Sequence, residues 1–228
     1  MNSTEQKRLR AKVHEALLFF YESKGFKLSK TNGVFKKDGF EVEWGVSAKN
    51  IDYIYFNPSL CVVEDIVQNT LQLVFEEKKF GLTICRLAGC RLAQEFGVHE
   101  YDYLGDNEDD VDNGTTYKVD QESDLSKLVA DHVNYMEKVG LPFFEKVNSL
   151  QGIYKYLSDL FFKNEKVKKI IGKREVLSCV AASYLLNDSD IEKLLRRLEE
   201  LYAGNTYLLD DMQKIKQYFE NKGSPHWS

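Results

Sequence analysis

The stretch Phe40-Glu41-Val42-Glu43-Trp44-Gly45-Val46 decides the fold. Phe40, Val42, Trp44 and Val46 recur at every second position, with Glu41, Glu43 and Gly45 between them. Side chains of a strand point to alternate faces, so this spacing predicts a strand with one packed face and one wet face. An antiparallel sheet covered on a single side has that property. The aromatic face needs a roof.

The residues on the N-terminal side supply one. Leu9, Val13, Ala16, Leu17 and Phe20 return at spacings of three and four, which places them on one face of a helix. Ser3 or Thr4 stands where that helix begins and Gly25 where it stops. Phe26 and Leu28 then alternate with Lys27 and Ser29. Asn32-Gly33 reads as a two-residue hairpin turn, and Asp38-Gly39 is a second turn signal. Ile51 to Phe56 reads as a fourth strand, ended by Asn57-Pro58.

Beyond Leu60 the period changes. Val63, Ile66, Val67, Thr70, Leu71, Val74 and Phe75 fit helical spacing, with Gln68 and Gln72 outside. Residues 80–86 are expected to form a strand, 89–96 a short helix and 115–119 a strand. The remainder is expected to be helical over 124–139, 152–162, 175–186, 189–202 and 208–221. Gly140, shortly before Pro142, interrupts the first of these, and Asp188-Ser189 caps the fourth. The fold class is therefore α+β, an N-terminal helix packed on an antiparallel sheet and followed by a helical C-terminal region. The change of pattern near 120 divides an α+β unit, 1–120, from a helical unit, 121–228. No Gly/Ser-rich linker separates them, so they are expected to pack as one globule.

Composition sets the class. With 228 residues, 43% apolar and 29% charged, the chain has enough core material to exclude wholesale disorder. A formal net charge of −5 argues against non-specific binding to nucleic acid or to an anionic membrane. No apolar run reaches the length of a bilayer span, and the first 25 residues lack the apolar core of a leader, so a cytoplasmic location is expected. Cys61, Cys85, Cys90 and Cys179 contain no CxxC pair and read as reduced thiols.

The acidic segment GDNEDDVDNG, from Gly105 to Gly114, invites a calcium reading that fails. With Glu108, Asp110 and Asp112 at loop positions 1, 3 and 5, Asn113 stands where the sharp turn needs glycine. Val119 then stands where a bidentate carboxylate is needed. Cys85, Cys90 and His99 lack a close second ligand pair for zinc. Gly81, Gly89 and Gly97 are too dispersed to cradle phosphate, and no G-x-S-x-G elbow is present. No cofactor and no metal are expected.

Two charged clusters stand out. Asp109, Asp110 and Asp112 form the acidic one. Lys168, Lys169 and Lys173 belong to a basic segment, residues 163–174, in which six basic residues face only Glu165. Paired surfaces of opposite sign steer and orient protein partners. The basic segment lacks the interleaved aromatic residues that stack nucleobases, which ranks nucleic acid below a protein partner.

The order of a helix, Lys24-Gly25-Phe26-Lys27, the Asn32-Gly33 turn and the aromatic strand Phe40 to Val46 resembles an uncharacterised bacterial domain-of-unknown-function family over the N-terminal half. Some similar small α+β proteins act as immunity or interaction partners, which is what the resemblance implies here. The resemblance implies a stoichiometric binding role and transfers no catalytic residue. The expected function is a cytoplasmic protein-interaction module, immunity-like or regulatory. The alternatives are a small-molecule hydrolase or transferase using Cys85, His99 or His132, and a nucleic-acid binder using residues 163–174.

Overall fold

The structure, a computed structural model, describes residues 3–29, 33–47, 54–76, 85–88, 117–119, 124–163 and 171–222. Contacts between Cα atoms divide the chain into two compact units. The first comprises Met1–Cys61 and Arg86–Glu145, and the second Val62–Cys85 and Lys146–Ser228. This grouping differs from a division at residue 120, because an early helix groups with the C-terminal bundle and a later one with the sheet.

In the first unit, α1 (Ser3–Ser23) leads into β1 (Lys27–Ser29), β2 (Val34–Lys37), β3 (Phe40–Ser47) and β4 (Ile54–Val62). Two short strands, β5 (Cys85–Ala88) and β6 (Tyr117–Val119), join the same sheet. Its order is β1-β2-β3-β4-β5, with β6 also on β4. The pairs β1–β2, β2–β3 and β4–β6 are antiparallel. The α+β class and the helix-on-sheet arrangement are as the alternating pattern predicts.

Register places Phe35 opposite Val42, and both are fully buried. On the wet face Lys36 lies opposite Glu41, with Nζ 2.5 Å from Oε1. The side chains of Trp44 and Val46 lie outside the described residues. The helix that covers this sheet buries Leu9, Val13, Leu17 and Tyr21, while Ala16 is exposed and Phe20 half-buried. The buried stripe thus follows the i+4 ridge, and Tyr21 replaces the expected Ala16 and Phe20. Its ring stacks on Phe35 with centroids 4.0 Å apart.

Three local expectations are corrected here. The first concerns the hairpins. Ser29 pairs with Val34, so four residues, 30–33, separate the paired ends of β1 and β2, two more than the expected Asn32-Gly33 turn allows; Asn32 itself lies outside the described residues. The two-residue turn is Asp38-Gly39, where Lys37 pairs with Phe40 and both turn residues have positive φ (44° and 83°).

The second concerns β4, which does not stop at Asn57-Pro58. Its pairing with β6 is confined to Ile54, Tyr55 and Phe56, so Pro58 removes no donor from that ladder.

The third concerns Gly140. Helix α3 (Asp124–Tyr135) continues through a π turn, Met136–Gly140, into α4 (Leu141–Lys146). Pro142 cannot donate to the carbonyl of Lys138, and its ring would crowd that carbonyl in an α turn. Widening the ladder, with Leu141 N–H donating to Met136 O, carries the helix past the proline.

In the second unit, α2 (Asp65–Phe75) groups with α5 (Leu150–Lys163), α6 (Lys173–Leu185), α7 (Ile191–Leu201) and α8 (Thr206–Lys222). Helix α6 touches α2, α5, α7 and α8. Every residue from Glu175 to Ser183 is buried, including Ser178, Ala181, Ala182 and Ser183. A helix apolar or small on all sides belongs at the centre of a bundle, and small residues let its neighbours approach closely.

The turns around α6 are fixed by polar contacts. Asn187 adopts the left-handed conformation (φ 49°), and Asp188 N–H donates to Ser183 O, closing the helix. Asp188 does not cap α7, whose N-cap is Asp190 without a side-chain bond; the Asp188 carboxylate instead accepts the Tyr154 hydroxyl from α5. At the start of α8, Asn205 Oδ1 accepts from Leu208 N–H at 3.2 Å. Among the described residues no helix is long and apolar enough to cross a membrane.

Candidate functional site

His132 lies in a closed aromatic core of the first unit. His132 is 0% exposed, and its Nε2 lies 2.5 Å from the Tyr21 hydroxyl. Phe35, fully buried, stacks on the other ring of this pair, and Tyr135 lies beside His132 at 6.3 Å between centroids. Burial lowers the His132 pKa from 6.5 to about 3, so the imidazole is neutral at pH 7. A general base needs a path to substrate and a pKa near the working pH; this ring has neither.

The thiols behave similarly. Cys61 and Cys179 are both buried. Burial, then the nearby Asp188 charge, pushes the Cys179 thiol above its ordinary value, which keeps it protonated and unreactive. Burial likewise raises the Tyr154 phenol, with its hydrogen bond to Asp188 and that carboxylate's charge acting in the same direction. The Tyr154–Asp188–Cys179 cluster ties α5 to the α6–α7 turn.

Of the charged candidates, Asp109, Asp110, Asp112, Lys168 and Lys169 lie outside the described residues, as does His99. Cys85 opens β5, and its side chain is also outside them. Lys173, the first residue of α6, forms an ion pair with Asp211 of α8. Lys214 holds the other carboxylate oxygen of Asp211 at 2.8 Å. Burial alone would push the Asp211 carboxyl up, but the hydrogen bonds and charges of Lys173 and Lys214 together hold it below its ordinary value. Lys173 is therefore tied into the bundle. Lys173→Glu is expected to lower stability by about 1–2 kcal/mol, because it sets a second carboxylate against Asp211 while Lys214 still shields it. Urea unfolding measures this directly, and an unchanged midpoint would show that the pair contributes nothing.

An open site does exist in the second unit, and α2 builds one of its walls. Glu64 stands at the N-cap in extended conformation, Asp65 occupies the first turn where the helix dipole favours an anion, and Glu76 ends the helix at φ 52°. Val67, Thr70 and Leu71 turn inward. Thr70 Oγ1 donates to the Ile66 carbonyl at 2.8 Å. Leu73 points the other way and is 61% exposed.

The opposite wall is the end of α8. Phe219 is buried and stacks on Tyr184 of α6, with centroids 4.9 Å apart and planes 8° from parallel. Burial, followed by the charges of Glu192 and Glu220, pushes the Tyr184 phenol up to about 12. Lys222 Nζ donates to the Tyr218 hydroxyl at 2.9 Å and sits over that ring. Between the walls lies a groove of about 680 Å³, lined by Ile66, Leu185 and Phe219, with the exposed Leu73 at its lip and Glu64, Asp65, Asn69 and Lys222 at its edge.

Among the described residues no cluster of His, Cys, Asp and Glu could hold a metal ion. The groove contains no nucleophile beside a base, so what it offers is apolar contact with a polar rim. Sequence reasoning missed it. The available signal was Leu73, the single apolar residue between Ile66 and Phe75 that does not fall on the helical stripe.

Comparison of the chain with family models, with curated proteins and with solved structures finds no match.

Proposed function

We propose that this chain is a cytoplasmic protein-interaction module that acts by stoichiometric binding of a protein partner, in a regulatory or immunity-like role. One observation carries the reading. The second unit holds an apolar groove with Leu73 exposed at its lip, next to the buried Leu185 and Phe219. Apolar surface gathered in a concave site with a polar rim is what association uses.

The chemistry elsewhere supports binding over catalysis. His132 is sealed in an aromatic core, and Cys179 is buried with a raised pKa. Support for nucleic acid is weaker still. Of the basic segment, Lys163 pairs with Asp159 at 2.7 Å and Lys173 with Asp211, so both cations already face carboxylates.

Capture of partners from a lysate of the source organism by tagged wild-type chain and by Leu73→Glu tests the reading. Leu73 is exposed, so the variant keeps its fold, which circular dichroism checks. A partner retained at one-to-one stoichiometry by the wild type, and at least tenfold less by the variant, is expected. No stoichiometric partner, or equal retention by both, sinks it. Charge reversal of Asp109, Asp110 and Asp112, or of Lys168 and Lys169, is expected to lower affinity further and to alter its salt dependence.

A further inference from the structure

We infer that the groove between α2 and α8 receives a single amphipathic helix of the partner, basic at the end that lies over the first turn of α2. The inference rests on the interaction reading above and adds the chemistry of the occupant.

Length comes first. Ile66, Asn69 or Thr70, and Leu73 line the groove at spacings of three, four and seven residues. That is two helical turns, or about 10 Å along the wall. A partner helix presenting apolar side chains at i, i+3 or i+4, and i+7 offers anchors over the same distance.

The kind of wall comes next. Both sides of the groove are helices, α2 and α8, and the C-terminal turn of α6 contributes Leu185. The ridges of two helices with a furrow between them receive a third helix by ridges-into-grooves packing. A peptide added as a β-strand would need a free sheet edge for its backbone hydrogen bonds, and these helical walls offer none.

Charge sets the direction. Glu64 and Asp65 stand at one end of the groove, and neither carboxylate has an ion-pair partner among the described residues. The rim cation, Lys222, is folded over the Tyr218 ring and bonded to its hydroxyl. Neither contact cancels its charge, so two acids and one cation edge the groove, and the net charge there is negative. An occupant with Lys or Arg at that end gains complementarity, and one with Asp or Glu there is repelled.

A displayed library of helical peptides, randomised at all exposed positions, tests this. It is selected against the full chain and counter-selected against Leu73→Glu. Enriched sequences are expected to carry apolar residues at i, i+3 or i+4, and i+7 with Lys or Arg at one end. They should bind Leu73→Glu at least tenfold more weakly. The Glu64→Lys/Asp65→Lys double variant should weaken the same peptides tenfold or more and select acidic ends in their place.

Enrichment of acidic or uncharged ends, of sequences without helical spacing, or of none that Leu73→Glu discriminates overturns the inference. If the library fails in this way while a partner is still captured through Leu73, the helical occupant falls and the interaction reading stands. If no partner is captured, the interaction reading falls and the helix falls with it.

Discussion

Lowering the pH from 7 to about 4.5 is expected to remove about 3 kcal/mol of stability from the first unit through His132 alone. The folded state holds this imidazole at 0% exposure beside Tyr21, and burial lowers its pKa from 6.5 to about 3. An unfolded chain protonates the same side chain near 6.5. Between those values the unfolded state binds the extra proton, so stability falls as pH falls. The contribution is complete above about 6.5 and is gone near 3, where the total reaches about 4–5 kcal/mol.

Carboxylates also lose their charge on the way down, and Asp211 with its lowered pKa is one of them. The diagnostic quantity is therefore the difference between wild type and His132→Gln. The variant is expected to be the less stable at pH 7, because the Tyr21 hydroxyl loses the Nε2 atom at 2.5 Å. The two curves should converge, and then cross, as the pH drops. Urea midpoints measured for both proteins between pH 7 and 4 give the result. Parallel loss of stability in the two would show that the buried imidazole is not the cause.

How much of this was legible in the sequence depends on the range of the interaction. The alternation from Phe40 and the helical stripe before it are local patterns, and they give the sheet, its covering helix and the α+β class. The boundaries of α5, α6, α7 and α8 are also local and fall within about two residues of expectation. Partner choice is not local. Nothing near Val67 says that α2 packs on α6, or near His132 that α3 packs on α1. Asp188 reads as a helix cap because such residues cap helices, yet Tyr154, thirty-four positions away, takes its carboxylate. The groove is of the same kind. Leu73 is visible as an apolar residue off the stripe, but Phe219 and Leu185 come to it only through the folded bundle.

Gly33 shows the same division within a single turn, and Gly33→Ala is expected to cost about 2–4 kcal/mol. The sequence assigns the glycine to a two-residue turn, but its need for glycine has two separate origins. One is local: Gly33 sits at φ 63°, where an L side chain costs about 1 kcal/mol or more. The other comes from α1. A Cβ on Gly33 would lie 2.3 Å from Cε1 of His14, far inside contact distance. His14 is only 8% exposed and meets Phe35 edge-on, with centroids 6.0 Å apart. Phe35 is itself fixed by its stack on Tyr21, so the imidazole cannot move aside without disturbing the core that holds His132. Two further variants separate the causes. Gly33→Asn tolerates positive φ but keeps the clash, so it should remain destabilised by about 1–3 kcal/mol. His14→Ala with Gly33→Ala relieves the clash but keeps the strain, so the pair should be less than additive by about 1 kcal/mol or more. Chemical denaturation of the parent, Gly33→Ala, His14→Ala and the double variant closes the cycle, with Gly33→Asn measured beside them. Additive losses, or a Gly33→Asn protein as stable as the parent, would mean that backbone conformation alone selects this glycine.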